Sequence, residues 1–190
     1  MSFSTYSQTV GFLDLSHKSN IAVLQNNFIK QDTEDLDPSH ADDVISSFKE
    51  INNKVNPIYC SGYETSTKAP NSPLFACLKW FSQFNIDGLV ISFEASGIQK
   101  QSYGELSLIA SKIPVVISAG NDPKIFNNAF CKIKNVYCVG ALDSSGNIAK
   151  YSARGELVKY WADGTYKNSQ GTSFAAPKFL AQLLSTSLKN

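Results

Sequence analysis

The sequence has no marked excess of charge of one sign, no long apolar run and only two histidines. Its 17 lysines and arginines balance 16 aspartates and glutamates, so the charge does not favour nucleic acid or an anionic membrane as a partner. No apolar run approaches the roughly 20 residues that cross a membrane, and the polar start is not a signal peptide. Imidazole chemistry would have to use His17 or His40.

The cysteines are few and form no C-x-x-C pair. The four are Cys60, Cys77, Cys131 and Cys138. In a chain with no signal peptide and no Asn-x-Ser/Thr acceptor, free buried thiols in a reducing compartment are favoured over disulfides, which remain the alternative. This interpretation predicts a cytoplasmic protein.

Apolar segments alternate between two lengths and patterns, which indicates an α/β protein. The 190 residues, 43% of them hydrophobic, show no repeat or linker, so one domain over 1–190 is predicted. Strand-like runs fall at 9–13, 21–24, 55–60, 89–93, 114–118 and 136–142, and helical patterns at 39–51, 73–84, 101–111 and 173–188. Runs that are apolar at nearly every position predict a doubly wound, mostly parallel sheet between helix layers, with its site at the carboxyl ends of the strands.

Near the C-terminus, residues 171–177 read G-T-S-F-A-A-P. A glycine allows a sharp entry turn, and Ser173 then opens an apolar helix whose first N–H groups and positive dipole end lie at its hydroxyl. The segment resembles the nucleophile motif G-T-S-x-A-x-P of the subtilisin-like serine proteases. A small-residue helix entry without chemistry is the alternative.

An aspartate and a histidine precede this serine in the order that the family uses. The run V-G-F-L-D ends on Asp14 and is similar to the family strand that delivers the acid, which implies that Asp14 orients the base. His40 opens the stretch S-H-A-D-D-V-I-S-S-F, where the family has H-G-T-H-V-A-G, and is implied to be that base. His17 resembles a structural histidine of the family. A turn cap at Asp14 and a surface helix cap at His40 are the alternatives.

A third strand carries an amide. The run I-P-V-V-I-S-A-G-N-D is similar to V-V-x-A-A-G-N, in which the asparagine donates a hydrogen bond to the oxyanion, so the resemblance implies this role for Asn121. The residues before it, Ser118, Ala119 and Gly120, would form one wall of the pocket for the residue before the cleaved bond. A plain turn at Asn121 is the alternative.

The opposite wall is implied by L-V-I-S-F-E-A-S-G, which resembles the family strand that pairs with the substrate backbone. Its presumed substrate-binding residues are Phe93, Glu94, Ala95, Ser96 and Gly97. The family usually shows Ser-Leu-Gly here, so the glutamate is a departure. Together with Asp122, it suggests a preference for a basic residue before the cleaved bond.

Two further stretches are assigned no chemistry. Residues 136–155 give the longest match to the family and predict a strand, a tight turn at Ser145 and Gly146 and a returning strand; 160–164 stand where the family has an Ala-Pro-Gly turn. The acidic stretch 31–43 is interpreted as a solvated loop, with a cation site as the alternative, because it lacks the glycine and final glutamate of a calcium loop.

The sequence therefore predicts a subtilisin-like serine endopeptidase that needs no metal or organic cofactor. Its expected partner is a peptide or protein substrate bound as an extended strand, together with a possible protein inhibitor or regulator. Few residues precede Asp14, which suggests a compact intracellular form without a pro-segment or a trimmed precursor. The residues beside His40 depart from the family, so an inactive peptide-binding or regulatory relative is the alternative function.

Overall fold

The computed structural model describes residues 7–16, 18–28, 39–62, 72–94 and 100–187. The strands are β1 (Gln8–Asp14), β2 (Leu24–Asn27), β3 (Val55–Ser61), β4 (Gly88–Ile91), β5 (Val115–Ser118), β6 (Val136–Leu142), β7 (Tyr160–Asp163), β8 (Thr165–Tyr166) and β9 (Ser169–Gln170). The helices are α1 (His40–Lys49), α2 (Pro73–Phe81), α3 (Lys100–Ala110) and α4 (Thr172–Ser187), with a short 3-10 helix at Ala129–Lys132. All four predicted helices are confirmed within a few residues at each end.

Seven of the strands form one parallel sheet in the order β2-β3-β1-β4-β5-β6-β7. The central strands β4 and β5 are buried along their whole length, as expected for strands covered on both faces. In this sheet β3 and β2 lie on one side of β1, and β4 begins the other side. The carboxyl end of β1 therefore lies at a topological switch point, where α/β sheets bind their ligands.

Helices cover both faces of the sheet. On one face α1 and α4 pack against each other, and α4 also contacts β4, β5, β6 and β7. On the other face α2 packs against α3. Alternating strand residues supply the two cores: Phe12 of β1 belongs to the α1 and α4 side, and its neighbour Leu13 to the α2 and α3 side. The predicted doubly wound α/β fold is confirmed.

The sheet edges differ from the prediction. The apolar run at 21–24 was expected to be a strand, but β2 begins at Leu24 and has the polar, mostly exposed sequence L-Q-N-N. At the other edge, β7 occupies 160–163, where no strand was expected. An edge strand has one neighbour and an open side, so ladder hydrogen bonds can hold it without an apolar pattern. The turn at Ser145 and Gly146 is present, but only an isolated bridge from Ile148 to Leu142 follows it.

The interpretation of the cysteines as free thiols is wrong. Cys60 is bonded to Cys77, and Cys131 to Cys138, with Cα atoms 5.7 Å apart in each pair. The first disulfide joins the end of β3 to α2, and the second joins the 3-10 helix to β6. The partners lie 17 and 7 residues apart in sequence and are brought together by packing that no cysteine spacing motif encodes.

In the described ranges, no helix is both long and apolar enough to cross a membrane.

Candidate active site

Three elements bring Asp14, His40 and Ser173 to one edge of the sheet. Asp14 is the last residue of β1 and is fully buried. His40 is the first residue of α1, and Ser173 is the second residue of α4. A strand carboxyl end and two helix amino ends therefore meet at the switch point, as the sheet topology predicts.

The three side chains touch in series. The Nδ1 atom of His40 lies 2.7 Å from Oδ2 of Asp14, and its Nε2 atom lies 3.2 Å from Oγ of Ser173. The other oxygen of Asp14 accepts a hydrogen bond of 2.7 Å from the N–H of Leu15. With the proton on Nδ1 donated to the carboxylate, Nε2 is left as an acceptor for the serine hydroxyl. We call these three residues the Asp-His-Ser row.

A second set of bonds fixes the segment that follows Asp14. The hydroxyl of the buried Tyr59 donates to the carbonyl of Ser16, and the Ser16 hydroxyl accepts the N–H of Ala41 at 3.2 Å. Burial, with the nearby charge of Asp14 adding to it, raises the pKa of Tyr59 far above its usual value, so this phenol stays a neutral donor. These bonds tie the loop after the acid to the first turn of the helix that carries His40.

Asn121 is held by the residue before the serine. Its Oδ1 atom accepts hydrogen bonds from the N–H of Thr172 at 2.8 Å and from the Thr172 hydroxyl at 3.0 Å. The same hydroxyl accepts the N–H of Gly120 at 3.1 Å. Because the oxygen of the amide accepts both bonds, its Nδ2 atom is the donor end. The N–H of Ser173 lies in the first turn of α4 and has no helical acceptor.

Gly171 allows the amide and the hydroxyl to approach each other. A Cβ atom at this position would lie 3.0 Å from Oγ of Ser173 and 3.2 Å from Nδ2 of Asn121. Both atoms therefore border the same small space, which a larger residue would crowd. Gly120 adopts a φ of +104°, a conformation that L side chains rarely take.

A cleft of about 230 Å³ opens beside the Asp-His-Ser row and includes His40 and Ser173 in its lining. Of the residues predicted to bind substrate, Phe93, Glu94 and Gly120 line this cleft, as does Asn121. Ser118 and Ala119 do not: both are buried, and the Ser118 hydroxyl donates to the carbonyl of Thr172 at 3.1 Å. Ala95, Ser96 and Gly97 lie outside the described residues.

Sequence reasoning missed three lining residues: Leu15, Ser92 and Thr172. Each directly adjoins a residue that was singled out, since Leu15 follows the acid, Thr172 precedes the serine and Ser92 precedes Phe93. That adjacency was an available signal. Lys124, whose ammonium lies 3.4 Å from the Glu94 carboxylate, had no signal in the sequence.

The departures from the family beside His40 have a structural use. Asp42 accepts hydrogen bonds from the Ser19 hydroxyl at 2.7 Å and from the N–H of Asn20 at 2.8 Å. Asp43 pairs with Lys167 at 2.8 Å. Burial favours a higher pKa for Asp42, but the hydrogen bonds from Ser19 and Asn20 outweigh it and lower the pKa.

The predicted acidic loop is described only from residue 39 on, because residues 31–38 lie outside the described residues, as does His17. Among the described residues, no three His, Cys, Asp or Glu side chains form a metal cluster.

The sheet order and the helix layers define a subtilisin-like α/β fold. Solved structures share it. A prenylagaramide maturation protease, PagA, superimposes with a TM-score of 0.69 at 18% identity, over 96% of this chain and 77% of that one. A cold-adapted subtilisin-like serine proteinase gives 0.69 at 19%, over 98% and 77%. The nisin leader peptidase NisP from Lactococcus lactis gives 0.70 at 13%, over 93% and 76%.

Sequence comparison adds nothing to this structural likeness. No protein-family model matches the chain, and no curated protein matches it. The subtilisin-like assignment therefore rests on the fold.

Proposed function

We propose that the protein is a serine endopeptidase that hydrolyses peptide bonds through Asp14, His40 and Ser173. The observation that carries the proposal is the unbroken series of contacts, 2.7 Å from acid to imidazole and 3.2 Å from imidazole to alcohol. A serine is a useful nucleophile only beside a base, and the base needs a third group to orient it. Its similarity to proteases of known structure supports the same class of reaction.

In the proposed reaction, the Ser173 oxygen attacks the peptide carbonyl carbon while Nε2 of His40 takes the hydroxyl proton. Asp14 stabilises the positive imidazolium that forms and holds its tautomer. His40 then gives the proton to the leaving amine as the C–N bond breaks, leaving an acyl ester on Ser173. Water, deprotonated by the same nitrogen, attacks the ester carbonyl carbon. The bond from that carbon to the Ser173 oxygen then breaks, His40 returns the proton to the Ser173 oxygen, and the acid product leaves and ionises.

The negative oxygen of each tetrahedral intermediate would be held by two donors. Nδ2 of Asn121 and the N–H of Ser173 border the space beside the nucleophile. Because Thr172 fixes the amide through two hydrogen bonds, the donor needs no reorganisation when charge develops, and this preorganisation is what makes such donors effective. None of these steps requires a metal ion or an organic cofactor.

The proposed substrate is a peptide or protein segment bound in extended form, and the proposed role is processing or degradation. Two of the similar structures are a maturation protease and a leader peptidase, which favours processing of a precursor. A protein inhibitor or regulator stays a predicted partner. The cytoplasmic location also stays a prediction. Its support from free cysteines is lost, because all four cysteines are in disulfides.

Labelling with a fluorophosphonate tests the nucleophile. Wild-type protein should be labelled, and Ser173→Ala should not. Ser169→Ala is the matched control, because Ser169 is an exposed serine four positions earlier, and this variant should be labelled like the wild type. Persistent labelling of Ser173→Ala would falsify the assignment, and turnover of a quenched-peptide library should vanish in the same variant.

The alternative, an inactive peptide-binding or regulatory protein, was suggested by Asp42 and Asp43 beside His40. These carboxylates bond to Ser19, Asn20 and Lys167, so no contact between described residues of the site favours it. A wild-type protein that binds peptides but neither reacts with the phosphonate nor cleaves the library would establish it.

A further inference from the structure

The cleft beside Ser173 contains a carboxylate. Glu94 lies in the segment after β4, lines the cleft and has a side chain that is 30% exposed. Its Oε2 atom lies only 2.8 Å from the point where a Cβ atom on Gly120 would stand. The carboxylate therefore reaches from its own wall to the opposite one and contributes a negative charge to the cleft.

A hydroxyl in the lining of the same cleft has no partner among the described residues. Ser92 is 4% exposed and lines the cleft, and its Oγ atom makes no hydrogen bond with the described residues. A buried hydroxyl is normally paired, because leaving it unsatisfied costs free energy. The exposed oxygen that the cleft offers is that of Glu94, which suits a ligand that carries N–H donors, and the buried Ser92 hydroxyl stays unpaired in the lining.

The protein supplies its own cation to this carboxylate. The Lys124 ammonium lies 3.4 Å from Oε2 of Glu94 and 3.6 Å from Oδ2 of Asp122. The charge of Glu94, and then that of Asp122, raises the pKa of Lys124, so the side chain is fully protonated at neutral pH. Lys124 is about half exposed. Exposed ion pairs of this kind contribute little net stability, so an incoming cation can displace the ammonium at small cost.

We propose that this cleft takes the side chain of an arginine or lysine that precedes the cleaved bond. Glu94 is then the residue that determines specificity, and Lys124 is an internal counter-ion that the substrate displaces. An apolar side chain would remove water from the carboxylate without pairing with it, and an acidic one would be repelled. The inference rests on the proposed peptidase function and narrows its substrates to peptides with a basic residue at that position.

The test uses four peptides that differ only in the residue before the cleaved bond: arginine, lysine, leucine or glutamate. In the wild type we expect kcat/KM for arginine and lysine to exceed that for leucine by about tenfold or more, since a close charge pair in a partly desolvated site is strongly discriminating. Glu94→Gln should remove this preference, mainly through KM. Asp122→Asn should reduce it less, because Asp122 is 66% exposed and does not line the cleft.

Removing the counter-ion Lys124 should have the opposite effect on kcat/KM for the basic peptides. Lys124→Gln should raise kcat/KM for the basic peptides severalfold, because they no longer compete with an ammonium of the protein, and this gain should shrink as salt is added. Lys132→Gln is the matched control. It removes another exposed lysine, one in the 3-10 helix, and should leave all four values unchanged.

Equal cleavage after arginine and leucine by the wild type, or a preference that survives in Glu94→Gln, overturns this inference alone. A wild type that cleaves none of the peptides and is not labelled by the fluorophosphonate overturns the proposed function and this inference with it. Thermal melts of each variant show whether it is folded, and an unfolded Glu94→Gln is replaced by Glu94→Ala, for which the same loss of preference is expected.

Discussion

The Asp-His-Ser row and the wall of the cleft are built in different ways. Asp14 and Ser173 are buried at the ends of regular elements in the core, and hydrogen bonds from neighbouring segments hold their positions. Glu94 and Lys124 lie on segments that follow β4 and β5, are partly exposed and are joined by a long ion pair. In the proposed peptidase, the chemistry that needs fixed geometry is thus placed on the scaffold, and substrate recognition is placed on connecting segments, which tolerate sequence change.

The largest expected effect comes from the centre of the row. His40→Ala should lower kcat/KM by about 10⁴-fold or more, because the base, its orienting contact and its contact with the nucleophile are lost together. Steady-state cleavage of one good peptide checks this. The control is His17→Ala, which should keep most of the activity. If the two variants were equally impaired, the assignment of the base to His40 would have no support.

The amide beside the row should matter less than the base. Asn121→Ala should lower kcat by about 10²–10³-fold with little change in KM, the range for losing one preorganised oxyanion donor. Thr172→Val keeps the amide but removes one of its two holding bonds, so a loss of about tenfold is expected. Single-turnover kinetics separate the effect on chemistry from an effect on binding. A rise in KM alone would assign Asn121 to ground-state binding instead.

The helix that carries Ser173 is anchored by a buried cation, whose loss should affect stability more than chemistry. Lys178 is 6% exposed and donates to Asp163 at 2.8 Å, to Glu50 at 2.9 Å and to the carbonyl of Thr165 at 2.6 Å. Its two carboxylate partners are about half exposed, so water can replace part of what they lose. Lys178→Met should therefore lower the free energy of unfolding by about 1–3 kcal/mol, measured in urea.

Lys167→Met is the matched control for this anchor. Lys167 also pairs with an aspartate, but it is 64% exposed, so little change in stability is expected. Equal losses of unfolding free energy in the two variants would mean that the burial of Lys178 contributes nothing to stability. Both proteins should retain the Asp-His-Ser row and be labelled by a fluorophosphonate.

The smallest expected effect is the pH dependence of the same anchor. Burial favours a higher pKa for Asp163, but the bonds from Lys178 and Thr165 outweigh it and hold the pKa below its ordinary 3.8. The contribution of a carboxyl with a lowered pKa is present above the unfolded value and is lost as pH falls through the folded one. The stability difference between wild type and Lys178→Met should therefore be constant near neutral pH and shrink below about pH 4.

The alkaline side has the opposite sign. Burial lowers the pKa of Lys178, but the bonds to Asp163 and Glu50 outweigh it and raise the pKa above 10.5. A raised lysine pKa stabilises the folded state below the unfolded value, and that stabilisation is lost as pH rises through the folded one. Urea titrations between pH 2 and pH 11 would show both limbs, and a difference that grows in acid would contradict the account.

The sequence predicted the centre of the fold better than its edges. Strands covered on both faces must be apolar throughout, so β1, β3, β4, β5 and β6 could be found from their residues. At the edges, β2 and β7 depend on backbone pairing with one neighbour, which leaves little trace in side-chain pattern. The site residues were predicted from the resemblance to a known motif. The structure brings Asp14, His40 and Ser173 into contact, and their catalytic roles stay predictions.

Contacts between distant segments could not be predicted. Lys178 stands in a helix that is otherwise apolar, and its partners Asp163 and Glu50 come from a strand edge and the end of another helix. The same holds for the disulfides and for the pairing of Glu94 with Lys124. Each depends on how elements pack, and a single sequence does not state which side chains then face each other.

The order of the elements along the chain has a consequence for synthesis. The acid arrives on β1 and the base on α1, but the alcohol arrives only with α4, which packs across β4 to β7 and against α1. In the proposed peptidase, a nascent chain that has not yet formed α4 therefore has Asp14 and His40 but no nucleophile beside them. Cleavage would become possible in one step, when α4 packs against α1 and the sheet, so chains that still lack this helix could not cut one another.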